Sequence, residues 1–179
     1  MAQGSQLYRG EIALADSDRE CYETLEIATP RHPSESGERL VLRLLAFALL
    51  YDEGLEFRPG GVSEGDAPDL AVRDFDGHVR HWIEVGTPAQ ARLQKAARNA
   101  RVTVVTHGGL LRRWKSQHKG RLPEFDGGIL VLDEGLVNHL AGNLPRRFRW
   151  QATVSGETLW LEDGQDSLSS PLRRLEPGQ

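Results

Sequence analysis

Between Cys21 and Thr29 the chain alternates: Glu23, Leu25 and Ile27 are interleaved with Tyr22, Thr24, Glu26 and Ala28. A period of two predicts a half-buried strand. The stretch from Gln6 to Ala15 reads as its partner, with Asp16-Ser17-Asp18 as the turn, so the chain opens on a β-hairpin. The spacing then changes. Glu38, Val41, Leu42, Leu45 and Leu49 share one face at helical spacing, which predicts a helix from Ser34 to Asp52. Pro33 at its entry and Gly54 after its end are the expected start and stop signals. A short strand, Leu55 to Phe57, and a glycine-rich loop, Pro59 to Gly65, follow.

From Pro68 to Gly86 the alternation returns on both sides of Asp76-Gly77, a dipeptide that favours two-residue hairpin turns. Such a turn fixes the register. It sets Phe75 opposite His78, Arg73 opposite Arg80, Val72 opposite His81, Ala71 opposite Trp82 and Leu70 opposite Ile83. It also sets Asp69 opposite Glu84, with Cβ atoms roughly 4.5–5.5 Å apart. Like charges so placed destabilise a sheet unless a divalent cation lies between them or each pairs with an arginine. Leu70, Val72 and Ile83 fall on the opposite face, the better core surface.

Further on, Thr87 is expected to cap a helix that starts at Pro88 and runs to Ala100, with Ala89, Leu93, Ala96, Ala97 and Ala100 as its apolar stripe. Arg101 to Thr106 and Gly128 to Leu132 read as strands buried in a sheet centre. Helices are expected from Leu110 to His118 and, capped by Asp133, up to Ala141. Arg147 to Ser155 and Thr158 to Asp163 form a second hairpin around Gly156. Strands joined through helices predict an α/β fold: a mixed sheet flanked by helices, with an additional sheet built from the terminal hairpins. The expected organisation is one domain over residues 1–164, with its core at 34–133 and terminal hairpins at 6–29 and 147–163. The polar residues 165–179 read as a loosely ordered tail, apart from a short strand near Leu172.

Composition narrows the function classes. The net charge of −4 argues against avid non-specific nucleic-acid binding while leaving room for a local basic groove. Of the 22 basic residues only Lys95, Lys115 and Lys119 are lysine, so arginine partners for carboxylates are plentiful. The lone Cys21 provides neither a disulfide framework nor a thiolate metal cluster, which fits a reducing cytoplasm. The N-terminus does not read as a signal peptide, and the longest apolar run, Leu44 to Tyr51, is too short to span a bilayer. A cytoplasmic location without a membrane partner is expected.

The candidate chemistry is acidic. Glu38 lies at the edge of the apolar stripe of the long helix, with Glu35 three residues before it. Both also suit the positive end of that helix, which requires no further role. Glu38 with Asp69 and Glu84 makes an oxygen-rich set for Mg²⁺ or Mn²⁺, and Glu35 is a further candidate ligand. A metal there could activate water and neutralise charge on a phosphodiester. Two basic clusters could bind nucleic-acid phosphates: Arg112 to Arg121 around Trp114, and Arg146, Arg147 and Arg149 beside Trp150. As exposed charge they need no ligand at all.

A glutamate on a helix, then Pro68-Asp69, then Glu84 on a following strand resembles the PD-(D/E)XK nuclease superfamily. More closely, the chain resembles the YaeQ family of bacterial proteins. The resemblance is carried by Arg31-His-Pro-Ser-Glu-Ser-Gly-Glu-Arg39, Leu42-Arg-Leu-Leu-Ala46, Trp82-Ile-Glu-Val-Gly86, Lys95-Ala96, Gln151-Ala-Thr-Val154 and Leu159-Trp160-Leu161. It implies a restriction-endonuclease-like fold and a candidate metal site. The acidic set supplies the expected function, Mg²⁺-dependent phosphodiester hydrolysis, with Asp69 and Glu84 holding the metal and Glu38 assisting. The superfamily's lysine, two residues after Glu84, is replaced here by Gly86. Lys95 or Arg92, on the next helix, would have to supply that cation. The competing expectation is a non-catalytic nucleic-acid or protein interaction module that keeps the fold without the lysine. A third is a metal that serves only to offset the carboxylate repulsion.

Overall fold

The computed structural model describes residues 4–59 and 66–179. The expected loop at 59–65 therefore lies, beyond Pro59, outside the described residues. The described residues form two mixed sheets and four helices, which stack in layers. The first sheet contains β1 (Gln6–Asp16), β2 (Cys21–Arg31), β8 (Arg147–Ser155), β9 (Thr158–Glu162) and β10 (Ser167–Pro171), in the order β10-β9-β8-β1-β2. A parallel pair, β1 with β8, joins the two terminal hairpins into the additional sheet that their sequences predict. The second sheet contains β3 (Leu55–Phe57), β4 (Leu70–Arg73), β5 (Val79–Val85), β6 (Arg101–His107), β7 (Gly128–Leu132) and β11 (Arg173–Leu175), in the order β11-β7-β6-β5-β4-β3.

Helix α1 (Gly37–Leu49) lies between the sheets with α4 (Glu134–Asn143). Every residue of α1 from Leu40 to Leu49 is buried, as a helix covered on all sides requires. One core cluster joins α1 and α4 to the inner faces of both sheets, including Ile12, Trp150, Leu70, Val72 and Ile83. Helices α2 (Gln90–Ala97) and α3 (Gly108–Gln117) cover the outer face of the second sheet, where Leu93, Val104, Leu111 and Trp114 form a separate cluster. No described helix is long and apolar enough to cross a membrane.

Several boundaries differ from the sequence expectation for local reasons. α1 begins at Gly37, capped by Ser36, and not at Ser34. The His32 ring accepts from the Ser34 N–H, and the Glu35 N–H donates to the His32 carbonyl, so Pro33 sits in a turn. α2 starts at Gln90, with Ala89 at its N-cap, which leaves Thr87 and Pro88 outside the helix. The expected loose tail is a correction: β10 pairs with β9, β11 pairs with β7, and Ser170 and Leu172 are buried.

The central hairpin keeps the predicted register at Leu70–Ile83, Ala71–Trp82 and Val72–His81. It then slips, and Arg73 pairs with Val79 across a bulge where Arg80 was expected. Phe75 consequently does not face His78. The cause is Asp74, whose carboxylate accepts from the N–H groups of Asp76 and His78 and lengthens the turn.

Candidate active site at the strand ends

Strands β5, β6 and β7 run parallel, and a cleft of about 660 Å³ opens beyond the C-terminal ends of β5 and β6. That is where α/β sheets place ligands, because the chain ends diverge into loops and helix starts there. Glu84 and Val85 line it from β5, Gly86 from the turn after it, Glu38 and Arg39 from α1, Arg92 from α2 and Arg113 from α3. Arg58 completes the wall.

Asp69 is buried just before β4, so no ladder pair with Glu84 forms. Its Oδ2 accepts from the Val85 N–H at 2.9 Å, and its Oδ1 accepts from Arg39. Glu84 Oε1 accepts from Trp82 Nε1 at 2.8 Å and from Arg92 Nε at 2.7 Å. The arginine arrangement weighed for the two carboxylates is thus the one observed. Arg39 reaches in from α1 on one face of the sheet, and Arg92 from α2 on the other.

Glu38 is half exposed at the cleft edge, and its Oε2 meets His107 Nε2 at 3.1 Å. His107 caps α3, because its Nδ1 accepts from the Gly109 N–H. That bond assigns the proton of the neutral ring to Nε2, so His107 donates to Glu38. Glu35 does not join Glu38. It is buried away from the cleft lining, where it accepts from Arg43 through both oxygens (2.7 and 2.8 Å) and from Arg39 at 3.1 Å. Lys95 is exposed, pairs with Asp66 at 3.3 Å, and faces a different cavity. Of the two cations weighed for the missing lysine, only Arg92 lines the cleft.

Gly86 has φ +87°, a left-handed backbone that a side-chain-bearing residue adopts only with strain. The position of the missing lysine is therefore a turn built for glycine. The donor set does not favour a metal. Both Asp69 oxygens already accept full donors, and Glu84 is held by a guanidinium. Among the described residues two groups bring three His or carboxylate ligand atoms within 4.8 Å of one another, Asp74–Asp76–His78 and His139–Asp163–Asp166. Neither includes Glu38, Asp69 or Glu84. As arranged, these side chains do not fit a divalent cation.

What the cleft does offer is positive charge. Arg58 titrates below its ordinary value: burial is the main cause, Asp69 and Glu84 oppose it, and Arg92 and Arg39 add to it. Its guanidinium donates to the carbonyls of Pro68 and Ala67, which fixes it in place. Crowded arginines of this kind are relieved by an anion.

Glu84 is pushed up to about 7, first by burial and then by Asp69, with Arg92 opposing. The sign of the resulting pH dependence follows from proton uptake. The folded protein retains a proton that the unfolded chain releases above the ordinary value of 4.5. Stability relative to a non-titrating Glu84→Gln variant should be highest below that pH, fall up to about pH 7 and then level off. The expected fall is on the order of 2–4 kcal/mol. Urea unfolding of both proteins at pH 5 and pH 8 checks it, and parallel pH profiles would contradict it.

Sequence reasoning did not single out His107, Arg39 and Arg58. His107 had one available signal, an apolar β-branched run ending in His107-Gly108-Gly109. Arg39 had another, its four-residue spacing from Glu35.

Comparison with known proteins adds the family. Residues 1–172 match the YaeQ protein family. The chain is 31% identical over 175 residues to a Salmonella typhi protein described as uncharacterized protein YaeQ, covering 96% of each. It is 30% identical to the protein of that description from Escherichia coli strain K12, covering 94% of each. Among solved structures, the YaeQ protein from Pseudomonas syringae superposes with TM-score 0.86 at 34% identity, covering 96% of each chain. That from Xanthomonas axonopodis pv. citri gives TM-score 0.86 at 28% identity, covering 97% of this chain and 99% of its own.

Proposed function

The chain belongs to the YaeQ family, and we propose that it binds nucleic-acid phosphates in the cleft at the ends of β5 and β6, on a scaffold of restriction-endonuclease-like type. One observation carries this reading: Arg39, Arg58, Arg92 and Arg113 converge on one cleft, while the carboxylates beneath them are spent on orienting arginine. Carboxylate pairing holds Arg39 and Arg92 in place, so little side-chain entropy remains to be lost when an anion arrives. Local concentration of arginine reconciles the reading with a net charge of −4.

The experiment is binding of a labelled oligonucleotide in the presence of EDTA over a range of salt. Three or four arginine–phosphate contacts predict a plot of log affinity against log salt with a slope of about −2 to −4. Arg113→Gln removes an exposed arginine and should reduce the slope by about 1. Affinity that does not change with salt would rule out the phosphate reading.

Metal-dependent hydrolysis is the second reading, and the raised Glu84 beside Asp69 favours it, since a cation would relieve two crowded carboxylates. It requires Mg²⁺ or Mn²⁺ to displace Arg39 and Arg92 from Asp69 and Glu84, with Glu38 assisting. Cleavage that appears only with Mn²⁺ and disappears in Asp69→Asn would establish it over simple binding.

A further inference from the structure

A second cavity, of about 530 Å³, adjoins the arginine cleft and shares Arg92 with it. Its walls combine Trp82, Val79, Ala96 and Ala100 with polar residues, among them Asn99, Lys95 and Asp66. We propose that this cavity takes one unstacked nucleobase of a single-stranded nucleic acid whose adjoining phosphate lies on the arginine cleft. The inference rests on the phosphate reading above and names the class of nucleic acid.

Three features of the site support it. Trp82 is a prepared stacking surface: Nε1 donates to Glu84 and the Arg92 guanidinium lies 5.4 Å from the ring centroid, so the ring plane is fixed. Ring fixation from both an edge and a face removes the ordering cost of stacking a base on what remains exposed. Asn99 is exposed, and among the described residues its side-chain amide makes no hydrogen bond. An amide offers both a donor and acceptors to a base edge. Finally, Arg92 lines both cavities, bonded to Glu84 and lying over the Trp82 ring at once. A ligand that fills both must carry an anion next to a flat apolar ring, which is the chemistry of a nucleotide. A base inside a duplex cannot leave its stack for such a cavity without paying for unpairing, so the ligand is single-stranded.

The test compares, on the intact wild-type protein, an oligothymidylate, a length-matched abasic oligonucleotide and a duplex of the same length, with oligouridylate as the RNA counterpart. The oligothymidylate should bind about tenfold more tightly than the abasic strand, the size of one base–aromatic stack. The DNA and RNA arms identify the sugar. Trp82→Ala should bring the oligothymidylate down to the abasic affinity. Equal affinity of wild type for based and abasic strands, or tighter binding of duplex, overturns the base site while the phosphate cleft stands. Absence of salt-dependent binding to every strand overturns the cleft reading and this one with it. The wild-type comparison needs no variant, so poor folding of Trp82→Ala does not remove the test.

Discussion

Truncation after Gly164 should destabilise the protein by about 4–6 kcal/mol, an expectation opposite to the one the polar tail suggests. Leu172 is buried, and burial of a leucine is worth about 2 kcal/mol. The buried Ser170 hydroxyl accepts from the Asp133 N–H at the start of α4, and such a bond adds about 1 kcal/mol. The Leu172 N–H donates to the Glu157 carbonyl, and the chain end pairs with residues 122 and 123. The same segment closes the edge of β9 and then the edge of β7, so its loss also exposes one open edge in each sheet. At about 2–4 °C per kcal/mol for a chain of this size, the melting temperature should fall by roughly 10–20 °C. A melting temperature within two degrees of wild type would mean that the tail is an ornament.

The tail was hard to read because β10 and β11 have no apolar period of their own. Ser167 to Pro171 is polar, and it becomes a strand by pairing with β9, a property of the neighbour. The helices and the central register were legible wherever periodicity and burial agreed, as at Leu70–Ile83 and Val72–His81. The register failed where a side chain competed with the backbone, at Asp74. The acidic residues raised as candidates are in or beneath the cleft, apart from Glu35. Their partners were not legible, because which arginine meets which carboxylate depends on how α1 and α2 pack across the end of the sheet. A period identifies the buried face of a helix, but it does not say what lies opposite.

Glu35 shows how much depends on those partners. Glu35→Ala should cost about 3–5 kcal/mol, because it strands a buried guanidinium without its counter-charge. Arg43 would keep the Thr29 hydroxyl at 2.7 Å and the Pro30 carbonyl at 2.9 Å, and it would lose a bidentate carboxylate. The pair itself need not stabilise the fold, since taking both ions out of water offsets most of their attraction. Glu35→Leu combined with Arg43→Met should therefore recover most of the loss, and urea unfolding of the single and double variants measures the coupling directly. A loss below about 1 kcal/mol in the single variant would mean that solvent reaches Arg43. A metal ligand would behave differently: its removal would abolish Mg²⁺-dependent stabilisation and leave the EDTA-treated protein unchanged. Glu35 also holds Arg39, which in turn holds Asp69. Its loss should loosen an arginine of the cleft and weaken oligonucleotide binding, while the double variant, which restores the core without restoring that contact, should remain weak. Recovered stability with unrecovered binding is the signature of a buried carboxylate that positions an arginine.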